Sequence, residues 1–231
     1  PCPVIELRHQ DCMEYMRGLP DKAFDLAIVD PPYGIGDFSM TSNYAGRPAI
    51  KAEKSGTYDW NNTTPLEEYF VEVRRVSDRQ IVWGANYYNC FDAEGGAIVW
   101  FKNMGHSDLS QCEIASRSWG KKVDYIHLNW QGGFSRKNTG GEFHPCQKPV
   151  ALYRWLLKNY AKPGQRILDT HLGSGSIAIA CDLEGFDLVG CEIDADYIAG
   201  ARKRLADHQA QPRLFDAPKD HGEQLKIDEA A

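Results

Sequence analysis

A carboxylate, two prolines and an aromatic ring follow one another directly after an apolar run. The run is Phe24–Val29, and the four residues are Asp30, Pro31, Pro32 and Tyr33. Neither proline has a backbone N–H, so the turn is stiff and presents carbonyl oxygens beside the carboxylate and the ring. Such a turn can accept hydrogen bonds from an amine and stack on a flat ring, which an exocyclic amine of a nucleobase would need. An ordinary proline turn with a core tyrosine is the alternative for this motif alone.

A glycine-rich loop follows a second apolar run. Residues 167–178 read ILDTHLGSGSIA and predict a strand, a loop and a helix. Gly173 and Gly175 allow close backbone approach to a ligand, and the helix N-terminus offers free N–H groups. The next predicted strand ends at Glu192, whose carboxylate can accept hydrogen bonds from ribose hydroxyls. Residues 173–178 also fit the loose pattern G-x-G-x-x-G/A, so a nicotinamide cofactor and a structural turn remain open from this segment alone.

The order of the predicted elements places these motifs. Short apolar runs alternate with amphipathic stretches, including predicted helices at 65–76, 107–119 and 149–160. This alternation predicts an α/β fold with a mostly parallel central sheet and helices on both faces. Ligands of such sheets bind at the carboxyl ends of the strands, where both motifs lie. A third segment, HPCQKP at 144–149, is a proline-framed turn with one cation and by itself favours no chemistry.

Composition limits the class of protein. The chain has 231 residues, 42% of them hydrophobic and 25% charged, which is typical of a globular protein. No apolar run approaches the ~18 residues that span a bilayer, and no signal-peptide core is seen, so we expect no membrane contact. The seven cysteines form no C-x-x-C pair, which favours reduced thiols, and no spacing of histidines and cysteines indicates a metal site.

The net charge of -6 would normally argue against a nucleic-acid partner. Its distribution matters more, because residues 216–231 hold five acidic and two basic residues whereas 117–137 hold five basic residues and one acidic residue. We predict a single domain over 1–208 and an acidic, flexible tail over 209–231.

Taken together, the three motifs resemble those of the S-adenosylmethionine-dependent amino-methyltransferases of DNA, which methylate adenine N6 or cytosine N4. Their catalytic motif is [DNS]-P-P-[YFW], and the order DPPY, HPCQKP, LDTHLGSGS is that of the β class. The resemblance spans about residues 4–205 and implies a circularly permuted Rossmann-like methyltransferase fold. Two departures are Asp169-Thr170-His171, where the family has D-P-F, and Gln10, where it often has glycine.

The resemblance implies a role for each motif. Asp30 and the Pro31 carbonyl would accept hydrogen bonds from the target amine, and Tyr33 would stack on a base flipped out of the duplex. Pro32 completes this catalytic turn. His171 either faces the methionine carboxylate or packs. The residues expected to surround S-adenosylmethionine are Asp11, Cys12, Asp30, Lys148, Asp169, His171, Gly173, Ser174, Gly175, Ser176, Glu192 and Ile193.

Two irregular segments are expected to meet DNA. The loop 34–64 would close over the active site, and 131–143 forms a minimal target-recognition loop, too short for a separate domain. A solvated basic surface is the alternative. The candidate contacts are Arg47, Lys51, Lys54, Lys121, Lys122, Arg136 and Lys137.

The implied function is a site-specific DNA methyltransferase that methylates N6 of adenine with short or relaxed specificity. DPPY is commoner among adenine enzymes of this class, so adenine is preferred over cytosine N4. An RNA or protein-amide methyltransferase, a non-catalytic DNA-binding subunit and, least of all, a nicotinamide oxidoreductase are the alternatives. The expected setting is restriction–modification in a prokaryotic cytoplasm or a phage-infected host. A homodimer is left open.

Overall fold

The computed structural model describes residues 2–35, 62–103, 110–129 and 147–211. Its strands are β1 (Ile5–His9), β2 (Phe24–Val29), β3 (Ser77–Trp83), β4 (Gly96–Phe101), β5 (Cys112–Arg117), β6 (Val123–His127), β7 (Arg166–Asp169) and β8 (Asp187–Glu192). Its helices are α1 (Cys12–Arg17), α2 (Glu67–Val76), α3 (Ala85–Tyr88), α4 (Val150–Tyr160), α5 (Ser176–Glu184) and α6 (Ala195–Ala210). Over these ranges, no helix is long and apolar enough to cross a membrane, and no cluster of side chains is suited to hold a metal ion.

The eight strands form one mostly parallel sheet, as predicted. Their order is β1-β8-β7-β2-β3-β5-β4-β6. β5 pairs antiparallel with β3 and β4, and every other neighbouring pair is parallel. Seven strands therefore end at one edge, which we call the carboxyl edge, and β5 begins there.

Helices cover both faces of the sheet, which confirms the predicted layers. β2 is buried on both sides because its residues alternate between two apolar clusters. Leu26 and Ile28 pack in the cluster that includes α4 and α5. Ala27 and Val29 pack in the cluster that includes α1 and α2. A strand buried on both faces reads as a continuous apolar run, which is why β2 was readable from the sequence.

The helix predicted over 107–119 is wrong, because the described part of this segment forms β5. Both edges of β5 are used, with Ala115 paired to Trp83 of β3 and to Ile98 of β4. Strand pairing of this kind depends on neighbours that are distant in sequence, and it outweighs a local periodic pattern. The four-residue helix α3 was not predicted either.

The predicted loops and tail are only partly described. Helix α6 continues through Ala210, two residues into the expected tail, and residues 36–61, 131–143 and 212–231 lie outside the described ranges. The two ends of the 34–64 segment meet. Gly34 has φ +69°, and a Cβ built on it would lie 3.0 Å from Cγ2 of Thr64.

Candidate active site

The predicted catalytic turn, residues 30–33, and the glycine loop, residues 170–175, lie side by side at the carboxyl edge. β2 leads into Asp30, β7 leads into Thr170, and these two strands are neighbours with Leu26 opposite Ile167. The carboxyl ends of parallel strands open onto a crevice suited to ligands. Two motifs far apart in sequence therefore face one site.

The Asp30 carboxylate is held by the chain's own side chains. Its Oδ1 accepts a hydrogen bond from the Tyr33 hydroxyl at 2.7 Å. Its Oδ2 accepts one from the Lys148 ammonium, which also lies 3.1 Å from the Tyr33 oxygen. The Lys148 side chain is only 5% exposed. The catalytic turn and the HPCQKP segment thus meet at one carboxylate, and Lys148 lies against Asp30 rather than among the loops expected to bind cofactor.

Burial and charge act in opposite directions on this ion pair. Burial raises the pKa of Asp30, and the Lys148 ammonium opposes that rise. Burial alone would lower the pKa of Lys148, but the carboxylates of Asp30 and Glu113 outweigh it and raise that pKa above its ordinary value. Lys148 is therefore a fixed cation at every physiological pH.

The ion pair extends to two residues that sequence reasoning missed. Glu113, the second residue of β5, lies 3.2 Å from the Lys148 ammonium, and its other oxygen accepts from Lys102 at 3.0 Å. Burial would raise the pKa of Glu113, but Lys148 and Lys102 outweigh it and hold that pKa below its ordinary value. A helix over 107–119 gave no reason to place Glu113 here, so only the strand pairing could have revealed it.

Two tyrosines of α3, Tyr87 and Tyr88, contact the catalytic turn. The Tyr88 hydroxyl donates to the carbonyl oxygens of Pro31 and, at 2.9 Å, Pro32. The Tyr33 ring stacks on Tyr87, with ring centres 4.7 Å apart and planes 14° apart. Tyr33 also lies against Gly84, where a Cβ would be 2.4 Å from its Cε1 atom. The Pro31 carbonyl and the Tyr33 ring, which are expected to receive a base, are thus contacted by α3 and by Gly84, the residue before it.

Glu192 holds the glycine loop in place. Its Oε2 accepts from the Gly173 amide at 2.8 Å, and its Oε1 accepts from the Asp194 amide at 2.9 Å. Gly175 has φ +71°, and a Cβ on it would lie 2.9 Å from Cβ of Ala201, so the loop packs tightly against α6. Glycine is required there on both grounds.

Burial shifts the pKa values of Asp169 and His171 in opposite directions. Burial raises the pKa of Asp169 to about 8, although the backbone N–H of His171 donates to it at 3.0 Å. Burial lowers the pKa of His171 to about 4, so this imidazole is neutral near pH 7. Its Nδ1 lies 3.0 Å from Thr170 Oγ1, which is 2.6 Å from the Tyr69 hydroxyl. Thr170 and His171, which stand where the resembled family has proline and phenylalanine, are thus linked to Tyr69 in a polar chain.

The other residues expected near the cofactor differ in what they can offer. The Ser174 and Ser176 hydroxyls are buried 3.1 Å apart, and Arg204 donates to Ser176 Oγ at 2.9 Å, so they stabilise the loop internally. Asp11 caps α1 by accepting from the Glu14 amide at 2.9 Å. Burial raises the pKa of the Cys12 thiol to about 12, which keeps it neutral, and Ile193 is exposed.

The predicted DNA-contacting lysines that the structure describes lie elsewhere. Lys121 and Lys122 connect β5 to β6 at the edge opposite the carboxyl edge. Lys121 lies 3.3 Å from Glu94, and Lys122 lies 2.6 Å from Asp124. Their position does not support contact with DNA beside a target base. The remaining candidates lie outside the described residues: Arg47, Lys51, Lys54, Arg136 and Lys137.

Known proteins resemble this chain in sequence and in fold. Residues 99–203 match the N6/N4 family model described as DNA methylase. The type II methyltransferase M2.DpnII of Streptococcus pneumoniae is 23% identical over 244 residues, covering 86% of this chain and 88% of that protein. The M1.HpyAVI–SAM complex superposes with a TM-score of 0.54 at 19% identity, covering 87% of this chain and 100% of that one. The cytosine-N4-specific PvuII DNA methyltransferase gives 0.54 at 15% identity, covering 88% and 89%.

These comparisons confirm the resemblance stated from the motifs. The matched segment, residues 99–203, is similar to the N6/N4 DNA methylases, and one of the similar structures is a complex with S-adenosylmethionine. The structural likeness confirms the methyltransferase fold. One of the similar structures is specific for cytosine N4, so the target base is not decided by similarity.

Proposed function

We propose that the protein is an S-adenosylmethionine-dependent DNA methyltransferase that methylates N6 of a flipped-out adenine. The observation that carries this proposal is the position of the Asp30 carboxylate, which lies at the carboxyl edge directly beside the glycine loop that follows β7. A hydrogen-bond acceptor for an amine and a loop suited to a nucleoside-like cofactor therefore face the same crevice. A DNA substrate supports the expected setting, the cytoplasm of a prokaryotic cell or a phage-infected host, which we propose with it.

The groups around the glycine loop suit this cofactor. S-adenosylmethionine carries an ammonium, ribose hydroxyls and a sulfonium, and it supplies an electrophilic methyl group. Asp169 and Glu192 are two acidic side chains whose strands, β7 and β8, are neighbours in the sheet. The Glu192 carboxylate keeps lone pairs beyond those used by the loop amides, so it can also accept from a ribose hydroxyl. We assign Asp169 to the methionine end and Glu192 to the ribose.

Asp30 would act by orientation and charge. An exocyclic amine has its lone pair delocalised into the base, and a carboxylate that accepts its N–H hydrogen bond helps aim that lone pair at the methyl group. The amine becomes strongly acidic only as the new bond forms, so no strong base is needed beforehand. Fixing the acceptor before the substrate arrives, as Tyr33 and Lys148 do here, lowers the cost of reaching the reactive arrangement.

The tyrosines would receive the base. A base inside a duplex cannot reach a buried methyl group, so it must be flipped out and held. Tyr33 is already stacked on Tyr87, and Tyr88 already donates to Pro31. A base that stacks on Tyr33 would therefore take the place of the Tyr87 ring, so part of its new stacking replaces a contact that the protein already makes.

Cytosine N4 is the second candidate target, favoured by the PvuII likeness. The distinguishing experiment is incubation of the purified protein with methyl-labelled S-adenosylmethionine and unmethylated DNA, followed by digestion to nucleosides. We expect label in N6-methyladenine. Label in N4-methylcytosine would support the second candidate. Label in RNA or protein alone, or no label from folded protein that binds the cofactor, would contradict the proposal.

We also propose that sequence recognition is short or relaxed. The segments left to read base edges are 34–64 and 131–143, which carry Arg47, Lys51, Lys54, Arg136 and Lys137. Each fully read base pair needs its own side-chain contacts, and so few groups can specify only a few positions. Mapping of methylated adenines on random-sequence DNA should give a consensus of about four base pairs or fewer, and a strict site of six or more would contradict this proposal.

A further inference from the structure

The Lys148 ammonium is shared between two carboxylates. It donates to Asp30 Oδ2, lies 3.2 Å from Glu113 Oε2 and lies 3.1 Å from the Tyr33 oxygen, so its three N–H donors have three partners. Its position between the rings of Tyr33 and Trp83, at 5.5 and 5.6 Å from their centres, limits where it can move. The closer the Lys148 ammonium lies to Glu113, the less it neutralises the negative charge of Asp30.

A second lysine, Lys102, contacts the other oxygen of Glu113 and so weakens the hold of Glu113 on Lys148. Lys102 donates to Glu113 Oε1 at 3.0 Å, and the Lys102 and Glu113 side chains are 13% and 22% exposed. The four groups form a chain of alternating sign in the order Asp30, Lys148, Glu113, Lys102. Their attractions are only weakly screened because the chain is largely buried.

We propose that Glu113 is a positioning residue for methyl transfer, which draws the Lys148 ammonium partly away from Asp30 and so preserves the carboxylate as an acceptor for the target amine. This inference rests on the proposed function. If Lys148 were paired with Asp30 alone, the carboxylate would be neutralised and would accept the amine's hydrogen bond less well. Glu113 touches neither the amine nor the methyl group in this scheme and acts through Lys148.

The proposal predicts opposite effects for two neighbouring substitutions. Glu113→Gln leaves Lys148 to Asp30 alone, which lowers the pKa of Asp30. Lys102→Met frees Glu113 to hold Lys148 more closely, which raises the pKa of Asp30. A residue without electrostatic coupling to Asp30 would give shifts of the same sign, or none. The other titratable groups facing Asp30 stay in place in both variants: Tyr33, Tyr69, Tyr88, Tyr153 and Asp169.

The first measurement needs no catalysis. The ¹³C chemical shift of the Asp30 carboxyl, followed against pH in the free protein, should show a pKa lower by on the order of one unit in Glu113→Gln, a tenfold change in proton affinity. It should show a higher pKa in Lys102→Met. Equal or same-sign shifts in folded variants overturn the proposal, whatever the protein's substrate.

The second measurement is kinetic. In Glu113→Gln we expect kcat to fall by about tenfold, the KM for S-adenosylmethionine to stay within about twofold, and the acidic limb of the kcat profile to move to lower pH. Glu184→Gln is the matched control, because Glu184 also binds two cations, Arg154 and Lys158, but lies at the end of α5 remote from the carboxyl edge. An unmoved limb in an active Glu113→Gln enzyme would overturn the proposal, whereas inactivity of the unmodified protein on every nucleic acid would reject the proposed function instead.

Discussion

Replacing Asp30 by asparagine should lower kcat by about a hundred- to a thousandfold while the protein still folds and binds S-adenosylmethionine. Asparagine preserves the size of the side chain and one acceptor oxygen but removes the charge. Loss of a single fixed group that stabilises charge in the transition state has effects of this size. The carboxylate also anchors Tyr33 and Lys148, so the variant loses both the negative charge of the acceptor and its preset orientation. Single-turnover methylation and calorimetric titration of the cofactor measure the two properties separately.

Asp25→Asn is the matched control for this substitution. Asp25 lies on the same strand, toward the opposite edge, and its carboxylate accepts from the Arg166 amide at 2.7 Å. An asparagine oxygen can still accept that bond, so we expect kcat to stay near the unmodified value. Comparable activity in Asp30→Asn and the unmodified enzyme would remove Asp30 from the reaction and with it the catalytic assignment of the turn.

Replacing Lys148 by methionine should have the largest effect on stability. The change leaves the carboxylates of Asp30 and Glu113 facing each other in a site where their side chains are 15% and 22% exposed. Removing one partner of a buried ion pair typically costs about 3–5 kcal/mol. For a chain of this size that corresponds to a fall in Tm of roughly 10 °C, measurable by calorimetry at neutral pH.

The loss should depend on pH with a definite sign. Without the ammonium, burial and Glu113 raise the pKa of Asp30 further above its value in the unfolded chain. A carboxyl with a raised folded-state pKa destabilises the protein at neutral pH, and this cost disappears as the pH falls through that pKa. The Tm difference between Lys148→Met and the unmodified protein should therefore shrink as the pH is lowered from neutral toward the ordinary carboxyl range.

Lys158→Met is the control for Lys148→Met. Lys158 lies on α4, 58% exposed, with its ammonium 3.4 Å from Glu184. An exposed pair contributes about 0–1 kcal/mol, so its loss should change Tm by a few degrees at most and without this pH dependence. Equal losses in the two variants would mean that Lys148 is no more deeply coupled to the site than a surface lysine.

The predictable parts of the site are the motifs formed by residues that are adjacent in sequence. DPPY directly follows the apolar run Phe24–Val29, and the glycine loop directly follows residues 166–169. Each motif therefore marks the end of a predicted strand. Burial on both faces makes such strands visible without knowledge of their partners.

The contacts that were missed depend on pairing between distant strands. Glu113 reaches Lys148 only because β5 enters the sheet antiparallel between β3 and β4, whereas its own sequence favoured a helix. Lys121 and Lys122 were grouped by their nearness in sequence with basic residues beyond β6, and the reversal of β5 carries them to the opposite edge. Motifs indicate which residues are candidates for chemistry, and the sheet order decides which residues surround them.

The contact between Gly34 and Thr64 has a consequence for the divergence of such enzymes. Because the two residues already meet, the chain between them is closed by the folded domain whatever its length. Doubling the length of a closed loop adds only about 0.6 kcal/mol to the entropic cost of closing it. Insertions and deletions between these anchors are therefore thermodynamically inexpensive, and the segment can vary in length and sequence while Asp30 and the glycine loop keep their positions.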